Sequence, residues 1–114
     1  LLMAIRGVSG QLLLLGDLNS TPDGKGTRSY ARVRTTMSDA WETLMPGAPG
    51  FTCCADDLAA PTYDGSVRID YILYRGPIRP MSIAVVGTDP TKRTPGGLFP
   101  SDHAGVVATV GVKP

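Results

Sequence analysis

The sequence predicts one domain with about five strands and one or two helices, in an α+β or α/β layer. Three observations carry this expectation. Several apolar runs have strand length and end at Gly, Pro or Asp-Gly turn signals. One stretch carries apolar residues at helical spacing. The chain has 114 residues, 42% of them hydrophobic and 18% charged, which is globular composition and enough for a single core.

Leu1 to Arg6 reads as the end of a helix closed by Gly7 and Gly10. Gln11 to Gly16 reads as a strand, and its continuous leucines predict burial on both faces, as in a central strand. Asp23-Gly24 and Gly26 mark a turn. From Thr27 to Met37 the spacing is helical, with Tyr30, Val33 and Met37 near one face. Phe51 to Cys54 is a short strand candidate. Asp64-Gly65 is a turn signal before Val67 to Tyr74, a strand with Ile69, Tyr71 and Leu73 on one face and Asp70 on the other. Ser82 to Val86 and Ala104 to Val112 are further strands, the last with Val106, Ala108 and Val110 facing one way. The Gly87 to Pro100 connection is long enough to suggest a functional loop.

The formal charge is +1 with scattered Lys and Arg, so no basic stripe announces a nucleic-acid binder. No apolar run approaches the roughly 18 residues of a membrane span. The start, "LLMAIRGVSG", has neither a basic n-region nor a cleavage-site pattern, and it does not begin with Met, which suggests an excised, processed or incomplete chain. The two cysteines, Cys53 and Cys54, are adjacent. Neighbours do not easily meet ordinary disulfide geometry, so two partly buried thiols without chemistry are expected.

Acidic groups sit at three strand ends: Asp17 with Asn19 after the first strand, Asp70 in the middle one, and Asp102-His103 before the last. Rigid strands can hold such groups while loops shape substrate entry. Two or three carboxylates bind Mg²⁺ or Mn²⁺, hard cations that prefer oxygen. Such an ion polarises a phosphoryl oxygen, and an imidazole beside a carboxylate gains a fixed tautomer. Each group also has an ordinary structural use. Asp17, Asn19 and Ser20 are turn and cap residues, and Asp102 could cap a turn. Asp70, inside an apolar strand, needs a partner or a metal; Arg68 or a backbone donor would serve.

Competing motifs fail in detail. "DLNSTPDGKGTR" starts like an EF-hand loop but has Pro22 in place of the turn glycine and Arg28 in place of the bidentate Glu. Gly96-Gly97 belongs to no phosphate-binding loop, and the consecutive Ser101, Asp102 and His103 cannot form a triad.

The order "LLLLGDLNSTP", "VRIDYILYR", "SDHAGVVATV", with "SDAWETL" after the helix, resembles the endonuclease/exonuclease/phosphatase superfamily. Its members include DNase-type nucleases, AP endonucleases, inositol phosphatases and neutral sphingomyelinases. The resemblance implies metal-assisted, in-line hydrolysis of a phosphoester with Mg²⁺ or Mn²⁺. Asp17 would orient or activate the attacking water near the metal, and Asn19 would position it or stabilise the transition state. Asp70 would pair with the imidazole of His103, which contacts the scissile phosphate, and Asp102 would associate with the metal. The implied metal set is thus Asp17, Asn19 and Asp102, and the implied catalytic set Asp17, Asn19, Asp70 and His103.

The resemblance also implies a longer domain, a two-layer β-sandwich flanked by helices, whose N-terminal half supplies an Asn and a Glu to the metal. Glu42 is the one glutamate here, so residues 1–114 read as the C-terminal half of one such domain with the N-terminal half absent. An uncovered sheet face then favours a homodimer or a complementing half. The substrate expected is a nucleic acid, a phospholipid or an inositol phosphate. "GFTCC" and the chain's last strand resemble the sphingomyelinase-like and general bacterial-type branches more than the AP-endonuclease branch. The alternative is a non-catalytic split or truncated module that assembles with itself or a partner.

Overall fold

The computed structural model describes residues 2–112. In chain order the elements are α1 (Leu2–Arg6), β1 (Leu12–Asp17), α2 (Ser29–Arg34), β2 (Ser38–Asp39), α3 (Ala40–Leu44), β3 (Asp70–Arg75), β4 (Ile78–Val86) and β5 (Gly105–Val112). Leu1, assigned from sequence to the first helix, lies outside the described residues. The strands form two antiparallel sheets, one in the order β1-β3-β2 and the other a β4-β5 pair, an α+β, sandwich-like arrangement.

The core follows from the two periodicities. Tyr71 and Leu73 alternate on one face of β3 and meet Tyr30, Val33 and Met37 from the α2 region and Ile5 from α1. Leu12 and Leu14 of β1 pack against the same cluster. The rings of Tyr30 and Tyr71 stack with centroids 4.5 Å apart. α2 is shorter than its helical spacing suggested. Arg28 supplies no side-chain cap, and after Arg34 the chain tightens, with the N–H groups of Thr36 and Met37 both donating to the Val33 carbonyl at 3.0 Å.

Three expectations about strands are corrected. Among the described residues β1 is an edge strand, since only β3 borders it. Leu13 is 38% and Leu15 63% exposed, so the leucine run is covered on one face only. A continuous apolar run calls for cover on both faces, and the second cover is not supplied within the described residues. Phe51 to Cys54 forms a single bridge, Cys53 to Val67, rather than a strand. β2, two residues opposite Tyr74 and Leu73, carries too little pattern to be read from sequence.

β4 starts earlier than expected, at Ile78. A register shift between Pro80 and Ser82 accommodates the missing N–H of Pro80 and leaves Met81 exposed. The long loop between β4 and β5 is tied down. The Arg93 guanidinium donates to the carbonyls of Leu58, Ala60, Pro61 and Gly97 and lies 4.3 Å over the ring of Phe99, which is itself fully buried.

The radius of gyration, 15.2 Å, exceeds the roughly 13 Å of a compact domain of about 100 residues. The β4-β5 pair is held to the other sheet chiefly where β5 approaches β3 and where α3 meets β4. No helix among the described residues is long and apolar enough to cross a membrane.

Candidate active site

Antiparallel register makes the site. Leu12 pairs with Arg75 and the count runs without a shift to Asp17 opposite Asp70. Directly opposed residues point to the same face, so the last residue of β1 and the first of β3 present their carboxylates side by side. This face also carries Leu15 and Ile72, and β5 approaches it near Ala104, Gly105 and Val106. Adjacent like charges repel, and a cation or a proton-bearing group beside them relieves the repulsion.

His103 supplies such a group. Its Nδ1 lies 3.0 Å from Asp70 Oδ2. One ligand atom from each of Asp17, Asp70 and His103 lies within 4.8 Å of the others. The Asp70 hydrogen bond raises the His103 pKa above its ordinary value against the opposing effect of burial, and the charges of Asp70, Asp102 and Asp17 add to the rise. The expected alternative partner of Asp70, Arg68, is engaged elsewhere. It reaches Asp39 Oδ2 at 2.7 Å. Asp39 also caps α3, accepting from the N–H groups of Trp41 and Glu42, and accepts from the Tyr30 hydroxyl.

Asn19 follows Asp17 in a left-handed conformation, φ 48°, which Asn tolerates better than most residues. Its N–H donates to Asp17 Oδ1 at 2.7 Å, which fixes the carboxylate's rotamer. The Asn19 carbonyl accepts from Thr27 N–H at 2.9 Å, and the Tyr71 hydroxyl donates to the Ser20 carbonyl at 2.7 Å. Gly26 closes this turn: a Cβ there would stand 2.6 Å from the Asn19 carbonyl oxygen. The polar turn after the leucines is therefore a rigid mount for Asp17 and Asn19.

Asp102 is placed differently. Its carboxylate is exposed, accepts from Ser101 Oγ at 3.3 Å, and is outside the three-residue cluster. Its carbonyl is the anchored part, accepting from Ala55 N–H at 2.9 Å and from the Tyr63 hydroxyl at 3.0 Å. Glu42 is not at this site. Its Oε2 accepts from Arg34 at 2.9 Å, and its Oε1 lies 2.7 Å from the Tyr30 hydroxyl, whose one proton it shares with Asp39.

Two positioning residues escaped sequence reading. Thr52 is fully buried, and its Oγ1 accepts from the N–H groups of Ile69 and Asp70, each at 3.2 Å. Its carbonyl accepts from Ala104 N–H at 2.8 Å. One residue thus fixes the starts of both segments that carry the Asp70–His103 pair. The Tyr63 hydroxyl lies 2.8 Å from the Thr52 carbonyl and accepts from Ala104 N–H, and burial raises its pKa. No short motif marks either residue.

The expectation of two free thiols is also corrected. Cys53 and Cys54 are joined as a disulfide across a cis peptide, with their Cα atoms 3.0 Å apart. The expectation rested on the Cα separation and torsion of an ordinary disulfide, which neighbouring residues do not easily meet. Cys54 Sγ lies 4.0 Å from His103 Nε2, so the pair borders the site.

A cleft of about 320 Å³ lies beside the turn that carries Asn19, between Thr21, Lys25, Trp41, Met45, Phe51 and Arg68. It shares no lining residue with the carboxylate cluster.

No curated protein matches the chain. A family model does, that of the Endonuclease/Exonuclease/phosphatase family, over residues 1–103. The matched span takes in β1, β3 and the loop that ends on His103, the three places that converge in space. With the match covering most of its 114 residues, the chain belongs to the Endonuclease/Exonuclease/phosphatase family.

Proposed function

We propose that the chain carries the water-activating and phosphate-binding half of a metal-dependent phosphodiesterase site. The observation that carries this reading is the Asp70–His103 pair, 3.0 Å apart, with the Asp17 carboxylate beside it. Asp70 holds the proton on Nδ1 and turns Nε2 away from the pair, where it carries a second proton, and so can donate to a phosphoryl oxygen, only in the imidazolium. The raised pKa favours the imidazolium, which offsets the charge that grows on the equatorial oxygens during attack. Asp17 accepts the water's proton as the water oxygen bonds to phosphorus and the bond to the leaving oxygen breaks. Asn19, on the fixed turn, orients that water.

Asp17 and Asn19 offer oxygen donors that suit a hard cation, and Asp102, whose exposed carboxylate lies outside the cluster, would complete the set by turning toward them; Mg²⁺ ordinarily takes one or two carboxylates plus substrate phosphate. Held by those residues, Mg²⁺ or Mn²⁺ would polarise the phosphoryl oxygen. The formal charge of only +1, with scattered Lys and Arg, favours a phosphodiester of modest size or a lipid headgroup over long duplex DNA, which needs several cations on its phosphates.

The exposed Leu13 and Leu15 on β1 support reading residues 1–114 as one half of the catalytic domain. The same feature favours a second reading, a module that pairs with itself without catalysis. Mixing the chain with a matching N-terminal half and assaying Mg²⁺-dependent cleavage of a chromogenic phosphodiester separates the two. Activity in the mixture that disappears with Asp17→Ala or His103→Ala supports the hydrolase. Stable association of the halves without any cleavage overturns it.

A further inference from the structure

The side chains of Cys53 and Cys54 meet the imidazole edge that Asp70 does not use. Together with His103 they form a second group in which one ligand atom from each residue lies within 4.8 Å of the others. We propose that reduction of the Cys53–Cys54 disulfide creates a binding site for a thiophilic divalent ion, of which zinc is the type, held by both thiolates and His103 Nε2.

Three observations support the site. Nε2 is 4.0 Å from Cys54 Sγ, close to the about 3.5 Å that separates nitrogen and sulfur ligands of one tetrahedral zinc, while the two sulfurs, once reduced, must part from bonding distance to about 3.8 Å. Asp70 Oδ2 occupies the other ring nitrogen at 3.0 Å, the carboxylate–histidine arrangement that orients metal-ligating imidazoles and makes them more basic. Cys53 is fully buried and Cys54 exposed, so the ion would enter past Cys54 and be backed by Cys53.

The donor set separates this site from the oxygen set of Asp17, Asn19 and Asp102. Two sulfurs and a nitrogen select soft or borderline ions and reject Mg²⁺. Three protein ligands leave the fourth position to water.

The chemistry balances with a dithiol as reductant. Its two thiols close to a disulfide, giving two electrons and two protons to the Cys53–Cys54 bond, which breaks into two thiols. The ion then displaces both thiol protons as two metal–sulfur bonds form. Because His103 Nε2 is claimed by the ion, it is withheld from phosphate. That consequence rests on the hydrolase reading, whereas the site itself does not.

The test reads metal directly. The full chain is reduced with a dithiol, freed of reductant without air, and titrated with Co²⁺ as a spectroscopic stand-in for zinc. A thiolate-to-cobalt charge-transfer absorption that saturates at one ion per chain, and that Zn²⁺ then displaces, is the expected result. Cys54→Ser, at an exposed position, should keep the circular dichroism spectrum and lose the band. Asp70→Asn should weaken zinc binding by about 10–100-fold. Absence of the band in the reduced chain overturns the site, as does equal cobalt uptake by Cys54→Ser or by the oxidised chain. Zinc binding that leaves phosphodiester cleavage by the complemented protein intact would overturn only the competition for Nε2.

Discussion

Asp39 and Arg68, 29 positions apart, form an ion pair of 2.7 Å with side chains 1% and 7% exposed. A pair so dry needs every oxygen and proton satisfied. Asp39 accepts from Arg68, from the Tyr30 hydroxyl and from two N–H groups of α3, while Arg68 lies 5.0 Å over the Tyr71 ring. The pair joins β2, α3 and the approach to β3 beneath the sheet. Arg68→Ala, which strands the buried carboxylate, should cost about 3–5 kcal/mol in urea unfolding. A loss under about 1 kcal/mol would contradict this account of the pair.

The Asp70–His103 pair predicts a pH dependence of definite sign. The folded pKa of His103 is raised above its ordinary 6.5, so the stability it contributes is full below that value. It is lost as pH rises through the raised value. Proton NMR of the His103 ring should show a titration midpoint above the ordinary one in the native chain. Asp70→Asn should move the midpoint down; an unmoved midpoint counts against the hydrogen bond as the main cause.

Thr52 offers a clean substitution pair. Thr52→Val keeps the shape but leaves the N–H groups of Ile69 and Asp70 without their acceptor, a loss of about 1–3 kcal/mol. Thr52→Ser keeps the oxygen and should recover most of it. In the complemented enzyme Thr52→Val should lower kcat more than it raises KM, because it misplaces Asp70 rather than a substrate contact. Equal behaviour of the two variants would remove Thr52 from the positioning role.

Leu15 and Leu73 should respond in opposite ways. Leu73 is fully buried in β3, and Leu73→Ala should cost about 2–5 kcal/mol by thermal or urea unfolding. Leu15, 63% exposed, should tolerate Leu15→Lys within about 0.5 kcal/mol in the monomeric chain. The same change should weaken association with itself or with an N-terminal half, read by sedimentation. Unchanged association would place the docking face elsewhere.

Three of the candidate site residues that the structure brings together were legible in the sequence because each ends, interrupts or precedes a local apolar run. Asp17 and Asn19 end an apolar run, Asp70 interrupts another, and His103 precedes a third. Their convergence follows from an antiparallel register that turn signals alone do not set. What stayed hidden depends on long-range pairing. Thr52 and Tyr63 act through single hydroxyls on distant N–H and carbonyl groups, which leave no periodic trace. The Arg68–Asp39 pair was missed for a related reason: Asp70 is nearer in sequence, but Arg68 precedes β3 and its guanidinium lies over the Tyr71 ring, on the face opposite to Asp70. The vicinal disulfide was missed because the expectation was set by the geometry of ordinary disulfides between residues distant in sequence. The leucine run of β1 was read as doubly buried because its second face is equally apolar, although only one face is covered among the described residues.

Among the described residues β3 is the one strand of its sheet bordered on both sides, and it contributes Tyr71 and Leu73 to the interior and Asp70 to the pair with His103. Its amide protons should therefore be among the last to exchange with solvent, released only when the whole sheet opens. Warming this protein would not first loosen a peripheral lid and then melt the body. Loss of the Asp70 geometry and loss of the fold would be a single event, so inactivation curves should superimpose on unfolding curves.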